Sequence, residues 1–128
     1  MKVLLTGSSK GIGHKIAEDL LAEGHELALH YNKNESSLKA LLKKDKTGSF
    51  SIQADLSMQD EIKKMVVDTI DKLSFPDCII NNAGIAESAD ISIDINNWSK
   101  MFDRTIDINL KAPSIIFKEF LKYKREKK

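Results

Sequence analysis

Four groups of residues in this 128-residue chain have types and spacing that could do chemistry. The first is Thr6-Gly7-Ser8-Ser9-Lys10-Gly11-Ile12-Gly13, with glycines spaced G-x-x-x-G-x-G between an apolar run, Val3-Leu4-Leu5, and a helical pattern that begins at Ile12. Glycines let backbone approach a pyrophosphate closely, and the helix behind them offers free N–H groups and the positive end of its dipole. The second group is Asp55-Leu56, after a strand pattern. The third is Asn81-Asn82-Ala83-Gly84, at the end of an apolar run, where Gly84 permits backbone to lie against a ligand. The fourth is Asn109, an amide among the apolar neighbours of a helix, where a buried side chain must find partners. Each has a plainer alternative. The glycines could make only a tight strand-to-helix turn, Asp55 only a helix approach, the asparagines only backbone hydrogen bonds, and Asn109 only a kink before Pro113.

Strand and helix patterns alternate around these groups. Val3 to Leu5 forms a first strand, and Ile12, Ile16 and Leu20 mark one face of a helix that stops at Gly24. Glu26 to Tyr31 reads as a second strand, 35–45 as a short helix, and Phe50, Ile52 and Ala54 as a third strand after the Thr47-Gly48 turn. Ser57-Met58-Gln59-Asp60 reads as a capping box opening a helix with Ile62, Met65, Val66, Thr69 and Leu73 on one side. Asp77 to Asn81 is a fourth strand, apolar enough for burial on both faces. After a loop over 83–96, a long helix spans about 97–123, with Pro113 as its kink. The order β-α-β-α-β-α-β-α predicts one domain over residues 1–128, an α/β fold with a parallel sheet and right-handed crossovers. Ile106, Ile108, Leu110, Ala112, Ile115, Ile116 and Phe117 place apolar groups all round the last helix. It therefore expects cover on more than one side, and a homo-oligomer through 97–123 is expected.

Net charge is +1, which gives no global reason to expect nucleic acid or an anionic membrane as partner. Residues 118–128 carry six Lys/Arg and two Glu, a solvated helix end whose cations complement the dipole. No stretch approaches the ~18 apolar residues of a membrane span. The single cysteine, Cys78, allows no intramolecular disulfide and no cysteine-based metal site, so a cytoplasmic setting without metal is expected.

Together the four motifs resemble the short-chain dehydrogenase/reductase family, which implies its doubly wound α/β Rossmann-like fold, here the first four strands in the order 3-2-1-4 with flanking helices. The glycine turn matches its T-G-x-x-x-G-I-G element, Asp55-Leu56 its acidic-plus-apolar adenine pair, Asn81 to Gly84 its N-N-A-G element, and Asp107-Ile108-Asn109-Leu110 its D-x-N-L. Within the family the match is most similar to the 3-oxoacyl-carrier-protein reductases. The resemblance implies cofactor contacts from Gly7, Ser9, Lys10, Gly11, Ile12 and Gly13 in the turn, and from Tyr31 and Asn32 at the second strand end. It implies further contacts from Asp55 and Leu56 and from Asn82, Ala83 and Gly84. It implies for Asn109 a place in the catalytic tetrad, its backbone helping to bind a relay water, and a carbonyl or hydroxyl compound as substrate.

The second strand ends in His30-Tyr31-Asn32-Lys33-Asn34, without the carboxylate that holds a ribose 2′-hydroxyl in NAD sites. Lys10 stands where the family often places a base for a 2′-phosphate, and Lys33 is a second candidate, so NADP(H) is favoured over NAD(H). The family's catalytic serine, tyrosine and lysine lie beyond the D-x-N-L helix. Tyr123-Lys-Arg-Glu-Lys127 spells Y-x-x-x-K, but it stands about 21 Å from Asn109 along one helix and is not assigned as catalytic. Two function classes follow: an oxidoreductase represented by its cofactor-binding half, or a non-catalytic dinucleotide-binding or interaction module.

Overall fold

The computed structural model describes residues 1–127. The chain runs β1 (Lys2–Leu5), α1 (Gly11–Ala22), β2 (Glu26–Tyr31), α2 (Ser36–Leu42), β3 (Phe50–Gln53), α3 (Gln59–Leu73), β4 (Cys78–Ile80), α4 (Ile95–Ile106) and α5 (Ala112–Glu126). A π-helical segment, Asp107–Lys111, joins α4 to α5. The four strands are parallel, as the alternation of patterns predicts, and stand in the order β3-β2-β1-β4 that the family resemblance implies. From β1 the chain winds one way to β2 and β3, then crosses back to β4. The reversal leaves a crevice beyond the carboxyl ends of β1 and β4.

Alternation along β1 sorts the core into two layers. Val3 and Leu5 join Leu27, Leu29, Ala17 of α1 and Leu38 of α2. Leu4 points the other way and joins Ala28, Ile52, the α3 face of Ile62, Met65, Val66, Ile70 and Leu73, and Ile116 and Phe120 of α5. Each such aliphatic side chain taken from water contributes about 2 kcal/mol, which is what holds the strand ends in register under the crevice.

Four local expectations change. Ile12 is exposed, and α1 instead buries Gly13 and Ala17 and packs Ile16 and Leu20. At Gly13 the helix lies directly against the turn after β1, where a side chain would not fit. The Ser57–Asp60 box does not form. Met58 is the N-cap of α3 without a side-chain bond, and the Ser57 hydroxyl donates instead to Asp55 Oδ1 at 2.7 Å. β4 is half-buried rather than covered on both faces, because it is an edge strand paired only with β1 among the described residues. The distortion of the long helix lies at Asp107–Lys111, where the Ala112 N–H reaches the Asp107 carbonyl, five residues back. Pro113 sits in the first turn of α5 and brings no N–H to the Asn109 carbonyl, so the irregularity falls one turn earlier than the proline itself.

The all-round apolarity of this helix resolves into two stripes. Ile108, Ala112, Ile116 and Phe120 are buried against the sheet and α3, while Trp98, Phe102, Ile106, Leu110, Phe117 and Leu121 face outward.

Candidate functional site

The turn after β1 is held by its neighbours on both sides. Thr6 Oγ1 accepts the N–H groups of Asn82 (3.1 Å) and Ala83 (3.0 Å), and the Asn82 amide donates back to the carbonyls of Thr6 (3.2 Å) and Gly7 (3.0 Å). On the β2 side, the Ser8 N–H and hydroxyl both donate to the His30 carbonyl, at 2.9 and 2.8 Å. The two chain ends that flank the switch point are therefore one hydrogen-bonded unit.

Gly7 and Gly13 are glycines for reasons the geometry states. A Cβ on Gly7 would lie 2.7 Å from the Ala83 Cα, and Gly7 has a left-handed φ of +67°. A Cβ on Gly13 would lie 2.1 Å from the Gly7 carbonyl oxygen and 2.5 Å from Asn82 Nδ2. The turn can sit this low over α1 only without those side chains. Lys10, the N-cap of α1, makes no side-chain cap bond, and no acidic residue stands in the first helical turn. The positive end of α1 is thus left to whatever enters the crevice.

The crevice is a cleft of about 720 Å³. Of the residues expected from sequence, Gly7, Ser9, Lys10, Gly11, Ile12, Tyr31, Asn32, Leu56, Asn82, Ala83 and Gly84 line it. Three do not. Gly13 lies beneath the turn, where it decides the packing just described. Asp55 spends its carboxylate on Ser57, accepting both the amide (2.9 Å) and the hydroxyl (2.7 Å). These bonds, the hydroxyl first, hold its pKa below the ordinary 3.8 against the opposing cost of burial. Asn109 is exposed rather than buried, and its amide closes a two-bond pair with Ile85, accepting from the N–H and donating to the carbonyl, both at 2.8 Å. That pair fixes the chain just after Gly84 to the π-helical segment.

The sequence did not single out His30, Asn34, Ala54, Ile85, Arg104 or Ile108 as lining residues. Arg104 carried a signal, being a cation one helical turn before the D-x-N-L element, and it pairs with Glu87 at 3.3 Å. His30 carried none, because within Glu-Leu-Ala-Leu-His-Tyr it reads only as a strand residue. It is almost wholly buried. The Gly7 N–H donates to its Nδ1 at 3.1 Å, and its Nε2 stands 2.9 Å from the Ala54 carbonyl. Burial, the largest influence, holds its pKa below the ordinary 6.5, with the Ala54 carbonyl and Asp55 opposing. The lining includes the cations Lys10, Lys33 and Arg104, the last of them paired with Glu87, and no aspartate or glutamate. Tyr123 packs against the core on the α3 side and the Lys127 ammonium lies 5.3 Å from the Phe75 ring, before β4 and so at the opposite end of the sheet.

Among the described residues no helix is long and apolar enough to cross a membrane. A family model described as short chain dehydrogenase matches residues 1–128. A 3-oxoacyl-[acyl-carrier-protein] reductase, FabG, of Staphylococcus epidermidis is 33% identical over 112 residues, covering 85% of this chain and 45% of that protein. Two solved structures are each 26% identical and cover 94% of the chain. A blue fluorescent protein from a metagenomic library, in complex with NADPH, superposes with a TM-score of 0.79 over 49% of its length. A FolM alternative dihydrofolate reductase 1 from Brucella canis, complexed with NADP, gives 0.78 over 48% of its length. The chain spans about half the length of the relatives it matches.

Proposed function

We propose, starting from the fact that this chain belongs to the short-chain dehydrogenase family, that its cleft binds NADP(H) and serves hydride transfer between the nicotinamide and a small carbonyl or hydroxyl compound. The observation that carries this reading is the uncapped positive end of α1, lying under a turn in which Gly7 and Gly13 have no room for a side chain. A pyrophosphate lies against the backbone there, and the Gly11 and Ile12 amides at the start of α1 face it. Leu56 and Ala54 form the apolar wall for the adenine, and Asp55 shapes that wall through its Ser57 turn rather than through a free carboxylate. Lys10 and Lys33, with Tyr31 and Asn32 at the strand end, take the 2′-phosphate, because no carboxylate lines the cleft to favour a 2′-hydroxyl. Asn82, Ala83 and Gly84 carry the nicotinamide ribose side. When bound, the cofactor supplies the hydride. Asn109 contributes through its carbonyl, which Pro113 cannot satisfy, as a seat for a relay water. NADP bound to a solved relative supports the same cofactor choice.

Titration of the chain with NADPH and NADH by calorimetry tests the reading. NADPH is expected to bind more tightly, and Lys10→Ala to weaken NADPH by roughly tenfold while leaving NADH unchanged. Equal or tighter NADH binding would overturn the cofactor choice. Turnover with NADPH and a panel of ketones and 3-oxoacyl thioesters separates the oxidoreductase reading from a binding-only module.

The outward stripe of Trp98, Phe102, Ile106, Leu110, Phe117 and Leu121 supports a second proposal, that a copy of this chain covers the α4–α5 face. Light scattering is expected to give a dimer or larger assembly, reduced to monomer by Phe102→Glu with Phe117→Glu. A clean monomer in the unaltered chain contradicts it.

A further inference from the structure

We infer that His30 is a positioning residue for the cofactor turn: a neutral imidazole protonated on Nε2, whose Nδ1 lone pair holds the Gly7 amide. The inference rests on the dinucleotide reading of the cleft and adds to it a residue outside the motif set. Its basis is a four-bond junction. The Gly7 N–H donates to Nδ1 (3.1 Å), Nε2 meets the Ala54 carbonyl (2.9 Å), and the Ser8 amide and hydroxyl donate to the His30 carbonyl (2.9 and 2.8 Å). One residue thereby joins the phosphate turn, the end of β2 and the wall proposed for the adenine.

Only one protonation state satisfies both ring bonds. The Ala54 carbonyl can only accept, so Nε2 must carry a hydrogen. The Gly7 amide can only donate, so Nδ1 must be bare. The other neutral tautomer sets N–H against N–H at Gly7 and a lone pair against the Ala54 oxygen. The doubly protonated ring keeps Ala54 and loses Gly7, orphaning the amide of a residue that sits at φ +67° and lies close against Ala83. Of the segments on the ring, the β1 turn contributes only the neutral Thr6, Gly7 and Ser8. The β3–α3 loop contributes Asp55, which favours the charged ring but is already held by Ser57. Tyr31 follows in β2, its hydroxyl influenced by Glu35 and Lys39 rather than by the imidazole. Acidification therefore costs the turn its Gly7 bond, and dinucleotide affinity falls as the ring gains its second proton.

Two variants divide the junction. Asn places a side-chain oxygen close to where Nδ1 sits and keeps the Gly7 bond, whereas Phe keeps the ring's bulk and no acceptor. Nitrogen-15 NMR of the unaltered chain is expected to find a pyridine-type Nδ1 and a pyrrole-type Nε2 at neutral pH. Hydrogen exchange at the Gly7 amide should stay slow in His30→Asn and quicken about tenfold in His30→Phe. NADPH affinity should follow the same order, and its acid loss should flatten in His30→Asn relative to the unaltered chain. An Nδ1-protonated or doubly protonated ring at neutral pH overturns the inference, as does equal Gly7 exchange in both variants. A chain that binds no dinucleotide refutes the proposed function instead. The ring and amide measurements need no cofactor and decide the positioning role on their own.

Discussion

Replacing Gly13 by alanine asks whether the turn sits where it does because of one missing methyl group. Gly13 lies inside α1 with an ordinary helical backbone, so alanine carries no conformational penalty there and even gains about 1 kcal/mol of helix propensity. Against that gain stands a Cβ placed 2.1 Å from the Gly7 carbonyl oxygen and 2.5 Å from Asn82 Nδ2, both well inside contact distance. Neither neighbour can yield alone. Asn82 Nδ2 is bonded to Thr6 and Gly7, and the Gly7 amide is bonded to His30, so relief requires lifting the whole turn from α1. Overpacking of this kind costs about 1–3 kcal/mol, and losing the two Asn82 side-chain bonds adds about 1–2 more. The net is about 1–4 kcal/mol, or a fall of roughly 4–15 °C in Tm for a domain this size. Gly24→Ala is the control. Gly24 has φ +82° with nothing within 4 Å, so alanine there meets only the left-handed penalty of about 1 kcal/mol. Thermal unfolding followed by circular dichroism, with NADPH titration alongside, should rank the two. Gly13→Ala is expected to lose more stability and more than tenfold in affinity, and Gly24→Ala to keep its affinity. A Gly13→Ala chain as stable and as tight as the unaltered one would refute the close-approach reasoning.

Three further outcomes follow from the same geometry. Asn82→Asp turns a donor to two carbonyls into an acceptor facing them. It should cost about 3 kcal/mol, more than Asn82→Ala, and equal loss in chemical denaturation would show that the amide is not the tie. Asn109→Ala should quicken exchange of the Ile85 amide about tenfold and leave the core helices unchanged; an unaltered Ile85 rate would mean the side-chain pair does not hold that loop. Asp55 has a depressed folded pKa, so the stability it contributes is present above its unfolded value, near 3.8, and is lost as pH falls through the lower folded value. Ser57→Ala removes the main cause, so the Asp55 carboxyl should titrate nearer 3.8 in carbon-13 NMR and acid unfolding should begin at higher pH. An unmoved Asp55 titration would assign the depression elsewhere.

The parts of this molecule that were legible in its sequence are those governed by local pattern. Apolar alternation and helical periodicity located all four strands, the family resemblance supplied their order, and the glycine spacing located the turn, because a close backbone approach leaves its mark as an absent side chain. What was not legible depended on partners distant in sequence. His30 bonds residues 23 and 24 positions away, and nothing in its own strand marks it as different from a packed residue. The Ser57 box did not form because α3 starts one residue later, with Met58 as its N-cap, while the Ser57 hydroxyl donates back to Asp55, two residues earlier. The π-helical segment was misplaced onto Pro113 because the proline withholds its bond from a carbonyl one turn earlier. Asn109 read as a buried amide because its neighbours are apolar, yet the π-helical segment carries it to the surface beside Ile85.

The cleft over the bare end of α1, lined by Lys10 and Lys33, is proposed to hold a dinucleotide, and a calorimetric titration of the chain with NADPH, repeated on Gly13→Ala, decides whether it does. Saturable one-to-one binding in the unaltered chain, tighter than for NADH and lost in the variant, is the predicted result. No binding in the unaltered chain, or binding that survives the variant undiminished, would contradict it.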